Sequence, residues 1–212
     1  MEDVKVLLAA AQSGDVSAQY NLGTIYDDAG NYPEAIRWFT MAANQGHASA
    51  QFNLGGIYDE TGNYPEAIRW YTMAANQGHA SAQYNLGWIY DDSDEAPCNY
   101  PEALKWYTLA ASQGHAGAQY NLGRMYRNGH GVQQNYNEAF KLYMMSAQQG
   151  DKKAQFQVGW AYDIGEGTTR DFSKAVEWYT KSANQGYGNA NFNLGVLYEK
   201  GNGLKKDLTV AK

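Results

Sequence analysis

The unit Ala18-Gln19-Tyr20-Asn21-Leu22-Gly23 returns at Ala50, Ala82, Ala118, Ala154 and Ala190, the last two times as AQFQVG and ANFNLG. The spacings are 32, 32, 36, 36 and 36 residues. A chain that repeats itself at this period is built from supersecondary units, each burying its apolar face against the next. Three residues after each glycine stands a tyrosine: Tyr26, Tyr58, Tyr90, Tyr126, Tyr162 and Tyr198. A second block reads PEAIRWFTMAANQG from Pro33 to Gly46, returns almost unchanged from Pro65 to Gly78, and persists in looser form through Gly114, Gly150 and Gly186.

Both blocks carry helical periodicity. Ala18, Leu22, Ile25 and Tyr26 fall on one stripe of a first helix, A; Ala35, Trp38, Phe39, Ala42 and Ala43 fall on one stripe of a second, B. Asn31 with Glu34 forms a capping-box start with proline in the first turn, repeated by Asn63 with Glu66 and Asn99 with Glu102. Gly46 and its equivalents stand where a left-handed C-terminal cap wants glycine. The mid-helix glycines of the Gly23 series, each costing about 1 kcal/mol of helix propensity, predict close approach of helix B to helix A. The fold class expected is therefore all-α, a right-handed superhelical solenoid of antiparallel helix pairs in one domain over residues 1–212. Its parts are a half-repeat at 1–14, repeats at 15–46, 47–78, 79–114, 115–150 and 151–186, and an incomplete repeat at 187–212. In that last unit, helix B has only just begun at Asp207–Lys212, which reads as a truncated or clipped chain.

The string A-x-Q-Y-N-L-G-x-x-Y, a Gly-x-Gly loop, then D-x-x-K-A-x-x-W-Y-x-K-x-A-x-x-G resembles the Sel1-like repeat family, a relative of tetratricopeptide repeats. Residues 154–186 carry nearly the whole pattern, including Gly165, Gly167, Asp171, Lys174, Ala175, Trp178 and Tyr179. The first two units depart from it: their inter-helix loops are four residues shorter and lack Gly-x-Gly. The third has Ser93-Asp-Glu-Ala-Pro-Cys98 in place of the glycines. The resemblance implies an adaptor or scaffold of bacterial or eukaryotic type, with relatives that act in host–bacterium contact and others that are immunity proteins neutralising toxic phospholipases.

The residues carry no recognised catalytic motif: there is no H-E-x-x-H, Walker loop, G-x-S-x-G or G-x-G-x-x-G. No cofactor is expected. His47, His79 and His115 occupy one position in successive units and read as helix-start residues, since repeat spacing of about 8–10 Å is too wide for a shared metal. His130 reads as a loop histidine. The run from Asp91 to Glu95, with Glu102 twelfth from Asp91, has the acid content of a calcium loop, but its sixth position is Ala96 where the turn needs glycine. A solvated acidic loop is the expectation. Cys98 is expected to be inert. The pairs Asp27–Asp28, Asp59–Glu60 and Asp91–Asp92 are expected to be a row of equivalent exposed carboxylates, which is no basis for acid–base chemistry.

In the related tetratricopeptide architecture the face of helix A opposite its buried stripe lines the concave groove. Carried onto this chain, that face gives an aromatic ladder of Tyr20, Phe52, Tyr84, Tyr120, Phe156 and Phe192. Next to it run Thr24, Gly56, Trp88, Arg124, Trp160 and Val196, then Asp27, Asp59, Asp91, Arg127, Asp163 and Glu199. An amide edge runs through Asn21, Asn53, Asn85, Asn121, Gln157 and Asn193. The aromatic ladder either wedges successive A helices together or floors a binding groove, and the amides either satisfy backbone groups or face a ligand. Positions that change between units, Trp88, Arg124, Arg127 and Trp160, are the preferred contacts, because stacking alone does not require them and tryptophan and arginine are enriched in hot spots.

Charge narrows the partner. The net of −6 argues against nucleic acid, which needs a basic face. Residues 1–100 hold 3 Lys+Arg and 13 Asp+Glu, and residues 101–212 hold 13 and 9. The acidic first half predicts another protein with a basic segment, drawn in by long-range charge. A glycan is the lesser expectation, and membrane insertion is not expected, as no run approaches the roughly 20 apolar residues of a spanning helix. The chain as given reads as cytoplasmic, or as periplasmic or secreted if a signal peptide was removed.

Overall fold

The computed structural model describes residues 2–92 and 98–201, and among them are twelve helices and no strand. The acidic loop at 93–97, weighed above as a calcium site, and the short helix B expected at 207–212 lie outside the described residues. The chain divides into two compact units, residues 1–89 and 90–212, the boundary falling within α6.

The first unit holds α1 (Glu2–Gln12), α2 (Val16–Asp28), α3 (Tyr32–Asn44), α4 (Ala48–Glu60), α5 (Tyr64–Asn76) and most of α6 (Ala80–Asp92). The second continues with α7 (Tyr100–Ser112), α8 (Ala116–Asn128), α9 (Tyr136–Gln148), α10 (Lys152–Ile164), α11 (Phe172–Asn184) and α12 (Gly188–Lys200). Even-numbered helices are the A helices. The stripe seen in the sequence is the core: Ala35, Phe39, Ala42 and Ala43 of α3 pack with Ala50, Leu54 and Ile57 of α4 and Trp70 of α5. Ile25 departs from it. Ile57 is 4% exposed, whereas Ile25 is 45% exposed.

The helix starts are capped as expected, with one difference. Asn31, Asn63 and Asn99 accept from the backbone N–H of Glu34, Glu66 and Glu102. The reciprocal half of the box is replaced. The Asn31 backbone N–H donates to the Tyr26 carbonyl at 2.8 Å, so Glu34 turns to Arg37 at 3.2 Å. The same bond joins Asn63 to Tyr58, Asn99 to Tyr90, Asn135 to Tyr126 and Asp171 to Tyr162 whatever the loop length. The anchoring bond therefore stays constant while longer loops bulge away from it. Where the loop is long, its second glycine presses on the start of the preceding B helix: a Cβ on Gly131 would lie 2.9 Å from the Tyr100 Cβ.

The Gly23 series is explained by close approach. A Cβ on Gly55 would stand 2.6 Å from the Tyr71 ring, and one on Gly159 2.7 Å from that of Tyr179. A feature the helical pattern hid lies beside it. Gln19, Gln51, Gln83, Gln119 and Gln155 sit among the alanines yet are buried. Gln51 donates to the Ala43 carbonyl at 2.9 Å and accepts from Gln77 at 2.7 Å; Gln119 accepts likewise from Gln149 at 2.8 Å. In each unit these amides form a buried polar seam, every group paired as burial demands.

The A helices start on a side-chain acceptor. Asp15 and Asp151 cap α2 and α10 at 2.7 Å; His47, His79 and His115 cap α4, α6 and α8 through Nδ1. A histidine can accept there only while neutral. Burial lowers the pKa of His79 and of His115 below the ordinary 6.5. A depressed folded-state value means their contribution is whole above pH 6.5 and is lost as pH falls through the lowered value. Changing both to Asp, the residue that caps α2 and α10, is therefore expected to narrow the fall in urea midpoint between pH 7.5 and 5, each cap being worth about 1 kcal/mol. An identical fall in the parent and the double variant refutes this.

Candidate functional site

In the first unit most of the recurrent ladder is used in packing. Tyr20 stacks on His47 at 4.6 Å and tilts on Phe39 at 5.9 Å; Phe52 does the same with His79 at 4.6 Å and Tyr71 at 5.8 Å. Tyr84 is half-buried and Asn21 exposed. Asn85 hydrogen-bonds the Tyr71 hydroxyl, which in turn donates to Asp59 at 3.5 Å. Burial chiefly pushes the Tyr71 pKa up to about 12, keeping it a donor. Trp88, by contrast, is 42% exposed.

Asp27, Phe52, Asn53, Gly56, Asp59, Glu60, Tyr71 and Asn85 line an open recess of about 360 Å³. Burial raises the Asp27 pKa, with Glu60 and Asp28 adding repulsion; burial likewise raises that of Asp59, against the lowering bond from Tyr71.

The second unit repeats the relay and closes it differently. Asn121 donates to the Tyr107 hydroxyl at 2.9 Å, Tyr107 donates to Asp91 at 3.5 Å, and Arg124 forms an ion pair with Asp91, whose side chain is only 2% exposed. Asn193, Tyr179 and Asp163 form the same chain at 3.0 and 3.4 Å, and burial chiefly raises the Asp163 pKa. Arg127 pairs with Glu166 at 2.7 Å and lies 4.2 Å over the Trp160 ring. Tyr120 tilts on Tyr143 at 5.7 Å, and Phe156 on Tyr179 at 5.5 Å. Phe156, Trp160, Gln157, Arg127, Asn189, Phe192 and Asn193 line a second open cavity of about 370 Å³. His130 stacks on Tyr100 at 4.5 Å, and Cys98 is an exposed free thiol.

One expectation is corrected. The carboxylates are not equivalent, since Asp91 is buried in an ion pair, Asp59 and Asp163 are half-buried on tyrosine hydroxyls, and Asp27 is repelled by Glu60 and Asp28. Of the preferred contacts, Arg124 and Arg127 are each ion-paired within the chain. Sequence reasoning also passed over Glu166 and the B-helix tyrosines. The signal available was partial: Asp59, Asp91 and Asp163 each accompany a tyrosine and Asp27 accompanies Phe39, but Tyr143 accompanies Arg127.

Comparison with known proteins fits this geometry. The Sel1 repeat profile matches residues 16–47, 48–79, 80–115, 116–151, 152–187 and 188–212. The chain belongs to the Sel1 repeat family. Sel1 repeats are in general non-catalytic scaffolds that mediate protein–protein interaction. A protective antigen of uropathogenic Escherichia coli with an SLR fold is similar at 34% identity and a TM-score of 0.90, over 97% of this chain and 46% of that one. The present chain thus spans about half the antigen's length. A Sel1 repeat protein from Oxalobacter formigenes is similar at 31% identity and a TM-score of 0.79, over 100% and 97% of the two chains. An immunity protein from Pseudomonas aeruginosa shares the Sel1 solenoid fold at 22% identity and a TM-score of 0.52, over 85% of this chain and 72% of that one. No curated protein sequence matches the chain.

Proposed function

We propose that this Sel1 repeat protein is a non-enzymatic adaptor that holds a protein loop or extended peptide with a basic segment against its A-helix faces. The observation that carries the reading is a division of labour along those faces. Recurrent residues such as Tyr20, Phe52, Tyr120 and Asn121 are taken up by packing and hydrogen bonds within and between repeats. Of the changing residues, Arg124 and Arg127 are ion-paired within the chain, while the two tryptophans are presented: Trp88 is 42% exposed, and Trp160 borders an open cavity of about 370 Å³. The uncompensated carboxylates of the first unit supply the attraction for a basic partner.

The test is affinity capture with the protein and with a Trp88→Ala, Trp160→Ala variant at two salt concentrations. A partner retained by the parent should bind the variant at least tenfold more weakly, since hot-spot tryptophans contribute about 2 kcal/mol or more. Its association should slow as salt rises. Equal retention by both baits moves binding off the A-helix faces, and an on-rate indifferent to salt removes the basic segment.

A further inference from the structure

Gly56 stands mid-helix in α4, where glycine costs about 1 kcal/mol relative to alanine, and packing does not call for it. A Cβ there would meet nothing nearer than the Tyr71 hydroxyl at 3.7 Å, whereas at the adjacent Gly55 the Tyr71 ring would be 2.6 Å away. The same register position holds Trp88, Arg124 and Trp160 in later repeats. The missing side chain therefore leaves open one wall of the recess of about 360 Å³ that Gly56 lines.

The walls of this recess define what it would take. Asp27, Asp59 and Glu60 bring three carboxylates. Among the described residues, their hydrogen-bonding side-chain neighbours are hydroxyls, Tyr71 on Asp59 and Tyr32 on Glu60, each at 3.5 Å, and no cation pairs with them. The Phe52 ring supplies an apolar floor.

The second unit shows how the chain itself fills such a place. Asp91 stands where Asp27 stands and Arg124 where Gly56 stands, and there the guanidinium pairs with the carboxylate beside a B-helix tyrosine. Arg127 adds the other half of the chemistry by pairing with Glu166 while lying over Trp160. A planar guanidinium meets a carboxylate fork and an aromatic face together; an ammonium does so poorly.

Resting on the adaptor reading above, we infer that the recess over Gly56 is a receptor for one arginine side chain of the partner, read by Asp27, Asp59 and Glu60. The partner's guanidinium takes the place that Arg124 occupies on Asp91.

The probe is N-acetyl-Gly-Arg-Gly-amide, titrated into the isotope-labelled full chain and followed by amide NMR shifts, with the citrulline peptide as an uncharged control of the same shape. Shifts at Asp27, Gly56 and Asp59 are expected, with the citrulline peptide at least tenfold weaker. Gly56→Trp, copying its register mate, should abolish them, while Trp88→Ala, Trp160→Ala should keep them. Equal binding of the citrulline peptide, unchanged binding to Gly56→Trp, or no shifts at these amides overturns the receptor. Capture by the parent and loss by the tryptophan variant would still stand in that case, so the two readings fail separately. A second variant needs no ligand: Gly56→Arg should bring the Asp27 carboxyl from above its ordinary value to below it in a carbon-detected pH titration. An unmoved Asp27 would show that this register does not place a guanidinium on it.

Discussion

Gly167→Ala is expected to destabilise the second unit by about 2–4 kcal/mol, the sum of left-handed strain and overpacking at a site that cannot relax. Gly167 has φ +69°, and a Cβ added to it would collide with the carbonyl group of Tyr136, the first residue of α9. The colliding atoms are backbone at the start of a helix, so no rotamer change relieves them. Gly131 makes the same approach to Tyr100 at the start of α7. The Gly-x-Gly loop is thus a spacer that lets one repeat's loop touch the previous B helix. Gly188→Ala is the control, since it has nothing within 4 Å and no positive φ, and it should be neutral or slightly stabilising. Urea unfolding of the three proteins decides the matter, and a Gly167→Ala midpoint equal to the parent's would sink the argument.

Trp70→Ala is expected to cost about 3–5 kcal/mol, the range for emptying an aromatic site in a core. Trp70 is 4% exposed and joins α3, α4 and α5 in one cluster with Phe39, Leu54 and Ile57. Because solenoid stability is carried by nearest-neighbour interfaces, the loss should spread to hydrogen exchange in α4 as well as α5. Trp70→Phe keeps an aromatic ring and empties less of the site, so it should cost less, about 1–2 kcal/mol. Among the described residues the buried indole N–H meets no acceptor, so its removal sacrifices no bond seen there and relieves a desolvated donor. A phenylalanine variant as unstable as the alanine one would show that the indole makes a bond that the described geometry does not contain.

The helix pairs were legible because their signals are local and redundant. Six copies of one motif, asparagine before each of four B helices, and glycine opposite Phe39, Tyr71, Tyr143 and Tyr179 all point the same way. The face most open to a partner was legible in part. Trp88 and Trp160 stood out as changing positions, and both reach the surface.

The rest was decided between repeats. Gln51 and its mates looked like polar interruptions of an apolar stripe, yet each is buried, because an amide can satisfy the preceding B helix and the following glutamine at once. Asp27 and Asp91 look alike in the sequence but meet different groups one repeat later: an empty place at Gly56 and the guanidinium of Arg124. By itself the sequence determined the period, the helix pairs, their caps and the mid-helix glycine contacts, since these depend on residues within one repeat or its immediate start. Only the tertiary structure decided which carboxylates are paired, which are buried on a hydroxyl and which are left facing solvent. The hydroxyl bonds join residues of one repeat, as in Tyr71 to Asp59, but whether a cation also reaches the carboxylate depends on a side chain about one repeat later, Arg124 for Asp91 and none at Gly56 for Asp27.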